Sequence, residues 1–269
     1  MRLEALINRQ IEVKNAGKCV VNLWKPEDGS EIYNQVEKLN WAPWLSASPQ
    51  TLSARAMVFP EGHLIIKDIE GKKILATLST NRINWDGDIT HLPSWDRVAG
   101  EPTDYSSTYD PDGNTLVLMS MNVHPEYQGA GLARQLIGLI KEQAKELGIT
   151  NLIGSFRPNE FGKFKSEGSN WQIDFEKYCK TNQKDGWPID GWLRSLKKNG
   201  MEPLIVDREA MTVPTSLDEF EQYKASYNLG KWKEVTPGIW ECGEVGQWKI
   251  IDDQATYQEC NLWGKFPFE

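Results

Sequence analysis

An apolar, strand-like run from Thr115 passes through Gln128-Gly129-Ala130-Gly131-Leu132-Ala133 into an amphipathic helix ending near Leu147, and no other stretch limits the fold as strongly. Gly129 and Gly131 let the backbone turn tightly without a Cβ clash. The first amides of the helix that follows have no intrahelical acceptor, so they can point at an anion such as a pyrophosphate. The helix dipole adds about 0.3–1 kcal/mol of attraction there. Pro125 suits the first turn after a strand because it lacks an amide donor, and Gly148 closes the helix. Leu136, Ile137, Leu139, Ile140, Ala144 and Leu147 fall on its inner side. A dinucleotide fold would need a third glycine and an acid about 20 residues further on, and a P-loop would need a Gly-Lys-Ser/Thr end. Neither pattern is present; a plain surface turn before a core helix is the remaining alternative.

Around this joint, Cys19 to Trp24 reads as a strand, Ser30 to Leu39 as a helix capped by Ser30, and Thr51 to Val58 as a second helix. Leu64 to Ile69 and Lys73 to Thr80 form a hairpin across Glu70-Gly71-Lys72. Thr115 to Val123 is the central strand, Leu132 to Leu147 the helix and Asn151 to Phe156 the next strand. Asp190 to Asn199 is a helix closed by Gly200, Pro203 to Val206 a strand, Leu217 to Tyr227 a helix capped by Ser216, and Ile239 to Ile251 a tryptophan-rich hairpin. Two long stretches rich in turn formers, 85–114 and 157–189, interrupt this order, and long loops usually carry a function.

Gln128, Gly131 and Ala133, with Val123-His124-Pro125 upstream, resemble the signature of the GNAT superfamily of acyl-coenzyme A dependent N-acyltransferases. Trp85-Asp86-Gly87, Leu92-Pro93, Trp95-Asp96, the run Asp185 to Arg194 and the run Tyr257 to Trp263 are similar to one bacterial GNAT group, and more faintly to GNAT-like loading domains of polyketide assembly lines. The resemblance implies one α/β domain over residues 1–269. Its mostly antiparallel sheet is splayed at the signature helix to admit a pantetheine arm, with the acyl-CoA motif at 115–148, insertions at 85–114 and 157–189, and a C-terminal hairpin extension at 214–269.

It also implies acetyl-CoA as co-substrate, bound by Val123, Gln128, Gly129, Ala130, Gly131, Leu132, Ala133 and Asn159, with an acetyl group passing to a primary amine of a small molecule. Transfer needs a deprotonated nucleophile, a donor for the developing oxyanion and an acid for the leaving thiolate. The resemblance assigns the donor to a backbone amide within Asn122 to His124. Where many members carry a glutamate on the central strand and a tyrosine four residues before the later glycine, this chain has Ser120 and Leu196. Ser120, Ser155 and Asn122 are therefore the catalytic candidates, with Ser120 orienting a water, and Tyr127 and Tyr178 are further candidates for the acid. Trp85, Asp86, Trp95 and Asp96 on the first long loop are candidates for holding a cationic amine, with Glu101 beside them, against the commoner reading of surface loop acids and of tryptophans packed under the loop. Arg134, Arg157, Lys163 and Lys165 are candidates for the phosphates. His124 reads as a turn residue. Two other functions stay open: acyl transfer or thioester processing on a carrier-protein thiol, and acyl-CoA binding without turnover.

A formal charge of -8 over 269 residues excludes a general nucleic-acid binder, since phosphate neutralisation needs a basic face. No stretch approaches the apolar length of a membrane span, and a cytoplasmic location is expected. Cys19, Cys179, Cys242 and Cys260 form no CxxC pair, and with His63, His91 and His124 they suggest no metal site; buried free thiols are expected. A homodimer is the remaining partner considered, through tryptophans near the C-terminus.

Overall fold

The computed structural model describes residues 6–100, 105–165, 171–227 and 232–268. It divides into two compact units: Met1–Pro93, Arg97–Gly154 and Phe266–Glu269 in the first, Ser94–Asp96 and Ser155–Lys265 in the second.

In the first unit, strands β1 (Arg9–Val13) and β2 (Gly17–Leu23) form a hairpin whose turn uses positive φ at Asn15 and Gly17. β1 escapes a periodicity reading because it is a largely exposed strand, and only Val13 is buried. Next come α1 (Gly29–Ile32), one π turn (Tyr33–Glu37) and α2 (Lys38–Asn40). Ser30 is not the cap that its residue type suggested. Pro26 opens a helical turn upstream, and the Lys25 amide donates to Asp28 Oδ2 at 2.7 Å, so Ser30 already lies inside α1. Helix α3 (Pro49–Val58) starts at Ser48, whose Oγ accepts from the Thr51 amide at 3.1 Å. Strands β3 (His63–Asp68) and β4 (Ile74–Ile83) follow, then α4 (Trp95–Ala99), β5 (Thr115–Val123), α5 (Leu132–Glu146) and β6 (Asn151–Phe156), of which Trp95, Asp96, Ser155 and Phe156 belong to the second unit.

Strands β1 to β5 pair antiparallel in chain order, and β5 pairs with β6 in parallel across the α5 crossover. The sheet is thus mixed and mostly antiparallel, as expected. One core cluster joins Ile32, Val36, Leu52 and Ala56 from the helical segments to Trp24, Ile65 and Ile74, and burying each Ile or Leu is worth about 1.5–3 kcal/mol. On α5, Leu132, Leu136, Ile137, Leu139, Ile140 and Ala144 are buried.

The second unit holds α6 (Trp171–Lys180), α7 (Gly191–Lys198), β7 (Glu202–Ser216), α8 (Leu217–Ser226), β8 (Lys233–Thr236), β9 (Ile239–Glu241), β10 (Gln247–Ile251) and β11 (Gln254–Phe266). β11 pairs antiparallel with β7 and with β10, and β10, β9 and β8 continue in antiparallel order. The strand expected at Pro203 to Val206 runs on to Ser216. Its charged residues and Pro214 hide it from a hydrophobicity reading, but β11 offers a partner along nearly its whole length. Ser216 caps α8, with its Oγ accepting from the Glu219 amide. Phe161, Phe175, Tyr178, Val245 and Cys260 form a core cluster, and Trp248 is fully buried. All four cysteines are free thiols. Among the described residues, no helix is long and apolar enough to cross a membrane, and no group of three His, Cys, Asp or Glu is placed to hold a metal.

Candidate functional site

Gly131, at φ +85°, is the N-cap of α5, and Gly129 has φ +77°. A Cβ built on either glycine meets nothing within 4 Å, so their backbone faces open space. Gln135 donates to Gly131 O at 3.1 Å and closes the first helical bond. The amides of Gly131, Leu132, Ala133 and Arg134 therefore form the unsatisfied donor end of α5, and none has an acceptor among the described residues. Gln128, expected to line this turn, donates from Nε2 to Asn40 Oδ1 at 3.3 Å. Ala130 closes a turn through its amide to Tyr127 O, leaving its neighbours' amides available.

The strand leading into this turn has an open edge. Parallel pairing between β5 and β6 runs from Thr115↔Asn151 to Leu118↔Gly154 and stops, while β5 continues to Val123. On its other side β5 stays paired with β4 to Ala76↔Val123, with a bulge where Leu118 and Ser120 oppose the consecutive residues Thr80 and Ser79. The extra residue is Met119. Strand amides alternate between edges, and His124 donates to Leu75 O on the β4 side at 2.8 Å. The Asn122 amide thus faces β4 as well, whereas the Met121 and Val123 amides face the open edge. Of the amides within Asn122 to His124, only that of Val123 faces the open edge, together with that of Met121.

The Asn122 side chain is also engaged. Its Nδ2 donates to Glu37 Oε2 at 2.6 Å and its Oδ1 accepts from Trp41 Nε1 at 2.7 Å. Glu37, 2% exposed, also accepts from the Ala47 amide at 2.9 Å; burial pushes its carboxyl pKa up, against lowering by these hydrogen bonds and by the charge of Arg55. This buried glutamate, placed by the π turn, was not foreseen, and its helical spacing gave no sign of it. Ser120 is partly exposed, its hydroxyl makes no hydrogen bond with a described residue, and it lies opposite Ser79.

In the second unit, Ser155 is nearly buried. With the Asn261 amide turned to face it, Ser155 Oγ donates to Asn261 Oδ1 at 3.3 Å, and Asn261 Nδ2 donates to Glu259 Oε1 at 3.2 Å. Its proton is committed to Asn261, so Ser155 presents lone pairs rather than an acid. Tyr178 donates to Asp190 Oδ2 at 3.2 Å, and burial raises its pKa. Leu196 is fully buried on α7. Asn159 is exposed. Arg157 does not face solvent phosphate: its Nε sits 2.9 Å from both oxygens of Glu259, and its Nη2 pairs with Glu244. Lys165 is buried and donates to Gly246 O at 2.6 Å. Of the four expected phosphate-binding cations, Arg134 and Lys163 are the exposed ones.

The loop residues divide between the two units. Trp85 is 5% exposed and donates from Nε1 to Asp88 O, while Asp86 is exposed and paired with His91 at 2.7 Å. Both serve the loop's own structure. In the second unit, the Trp95 amide donates to Asp207 Oδ2, and Asp96 Oδ2 accepts from the Thr212 amide on β7 at 2.6 Å. Glu101 lies outside the described residues. His124 accepts from the Glu126 amide as a turn residue.

The model of the Acetyltransferase (GNAT) family matches residues 30–160. An uncharacterized N-acetyltransferase of Bacillus subtilis, YkwB, is 25% identical over 193 residues, covering 70% of this chain and 75% of its own. The loading GNATL domain of CurA from Lyngbya majuscula superposes with a TM-score of 0.63 at 14% identity, covering 93% of this chain and 97% of that one. A GNAT-like decarboxylase, GphF, in complex with isobutyryl-CoA, superposes with a TM-score of 0.56 at 21% identity, covering 71% of this chain and 90% of its own. Together with the β5 to α5 joint and the mostly antiparallel sheet, these similarities show that residues 30–160 are similar to the GNAT acetyltransferase family and that the fold is that of the GNAT-like neighbours.

Proposed function

We propose that this protein transfers an acetyl group from acetyl-CoA to a primary amine of a small molecule. The observation that carries the reading is a coincidence within the first unit: free amides at the start of α5 adjoin the strand whose pairing with β6 ends at Leu118. The turn fits a pyrophosphate because its glycines carry no Cβ and its amides have no other acceptor. Bound there, an acyl-CoA supplies an activated thioester. The amides of Gly131 to Arg134 hold its phosphates, and the edge at Val123 lies along its pantetheine. The Met121 or Val123 amide donates to the carbonyl oxygen as it gains charge. Ser120 orients a water that takes the proton of the attacking amine. No tyrosine replaces Leu196, so the thiolate leaves to solvent.

A second reading is acyl transfer or thioester processing on a carrier-protein thiol. It is favoured by the likeness to the CurA loading domain and to GphF, and by Ser120 and Leu196 occupying sequence positions where many family members carry a glutamate and a tyrosine. Calorimetric titration with acetyl-CoA, malonyl-CoA and free coenzyme A tests both. Micromolar affinity, about -8 kcal/mol, with acetyl-CoA at least as tight as malonyl-CoA is expected. A strong malonyl preference would favour the second reading, and no binding of any of the three would overturn both.

A further inference from the structure

Arg55 on α3 is 4% exposed, yet its guanidinium makes no hydrogen bond or ion pair with any described residue, and its Nε is fully enclosed. Glu37 is the opposite charge that acts on it, but the two are not in ion-pair contact, and the oxygens of Glu37 are held by the Ala47 amide and Asn122. A guanidinium cannot shed its proton, and a buried charge without a partner costs several kcal/mol. Other orphaned groups lie close by. His63, fully buried and within electrostatic reach of Arg55, accepts from the Thr80 amide at Nδ1, which places its proton on Nε2; that N–H makes no hydrogen bond of good geometry, with the Arg55 main chain as the acceptor within reach. The Trp24 ring stacks on His63 at 4.7 Å with its own Nε1 unpartnered, and Ser79, directly opposite His63, has an unpartnered Oγ. The Arg55 Nε, the Trp24 Nε1 and the Ser79 hydroxyl thus gather here without an acceptor, beside the weakly held His63 Nε2, the arrangement a buried anion satisfies. His63, Ser79 and Ser120 are aligned across β3, β4 and β5, so Ser79 lies about 5 Å, one strand spacing, and His63 about 10 Å, two spacings, from Ser120 beside the open edge of β5.

We propose that Arg55 anchors a buried carboxylate-binding site, completed by His63, Ser79 and Trp24, which holds the carboxylate of a reacting molecule. That molecule is either the amine acceptor or an acyl group bearing a free carboxylate, and its assignment as a substrate rests on the acyl-transfer reading. A planar fork of donors matches a carboxylate in both geometry and charge.

The test uses the full chain, Arg55→Met and Arg55→Lys, which keeps the charge but loses the fork. At constant ionic strength, malonate is expected to raise the melting temperature of the parent protein and malonamide is not. The response disappears in Arg55→Met and shrinks in Arg55→Lys. Calorimetry with malonyl-CoA and acetyl-CoA, and turnover of amino acids beside the same amines lacking a carboxyl group, then locate the source. An acyl source gives at least a tenfold malonyl preference that Arg55→Met abolishes. An acceptor source gives at least a tenfold rise in KM for amino acids in that variant, with kcat little changed. No malonate response in the parent, or the same response in Arg55→Met, overturns the proposal. Free coenzyme A binding is the separate control: if it binds while carboxylates have no effect, only this proposal falls. If it does not bind while the malonate response stands, the acyl-transfer reading falls and the anion site remains.

Discussion

Asp96 illustrates how a residue readable as a surface acid takes another role in place. Its carboxylate accepts from the Thr212 amide, and burial, with Asp207 and Glu259 nearby, pushes its pKa up to about 6. The folded chain therefore holds this proton more tightly than the unfolded chain. The resulting stabilisation is complete below about pH 3.8 and is lost as pH rises through about 6. Replacing the group by a neutral acceptor removes the loss. Asp96→Asn is expected to raise unfolding stability by about 1 kcal/mol at pH 8, allowing for partial solvent exposure, with no gain at pH 3.5. Denaturant titrations at the two pH values check this, and equal effects at both would refute it. Residue identity alone could not reveal such an environment. Asn122 was legible as a residue at the right strand position, but its bonds to Glu37 and Trp41 come from segments over 80 positions away.

At the level of elements, the joint between β5 and α5 was legible almost to the residue. A buried strand and an amphipathic helix each carry a local periodicity, and the glycines between them have a local steric meaning. Gly131→Asn tests what that joint does, because asparagine tolerates positive φ better than other side chains while adding atoms where the glycine faces open space. Coenzyme A affinity is expected to fall at least tenfold, about 1.4 kcal/mol, with little change in melting temperature; unchanged affinity in calorimetry would remove the turn from the site. Elements whose stability comes from distant partners were harder to read. β1 is mostly exposed, and β7 is charged and proline-bearing, so neither shows the alternation that marks a strand. The start of α1 was missed for a local reason, since Pro26 and Asp28 begin the turn before Ser30.

The charge network at the heart of the second unit appears only in the folded molecule. Arg157 bridges Glu259 and Glu244, Tyr257 donates to Glu259 at 2.7 Å, and Tyr227 donates to Glu244. Arg157→Met leaves two buried carboxylates without their cation and is expected to cost about 3–5 kcal/mol, most of it recovered when Glu244→Gln and Glu259→Gln are added. Equal stability of the single and triple variants would show that the network carries no such energy. Chain order, the mostly antiparallel α/β class and the signature joint were all determined by the sequence alone, because periodicity and steric freedom act over a few neighbours. Tertiary structure alone decided which polar groups became structural and which were left unpartnered. Arg157 and Lys165 found acceptors inside their unit, whereas Arg55 did not, because pairing, desolvation and orphaning depend on contacts between segments far apart in the chain.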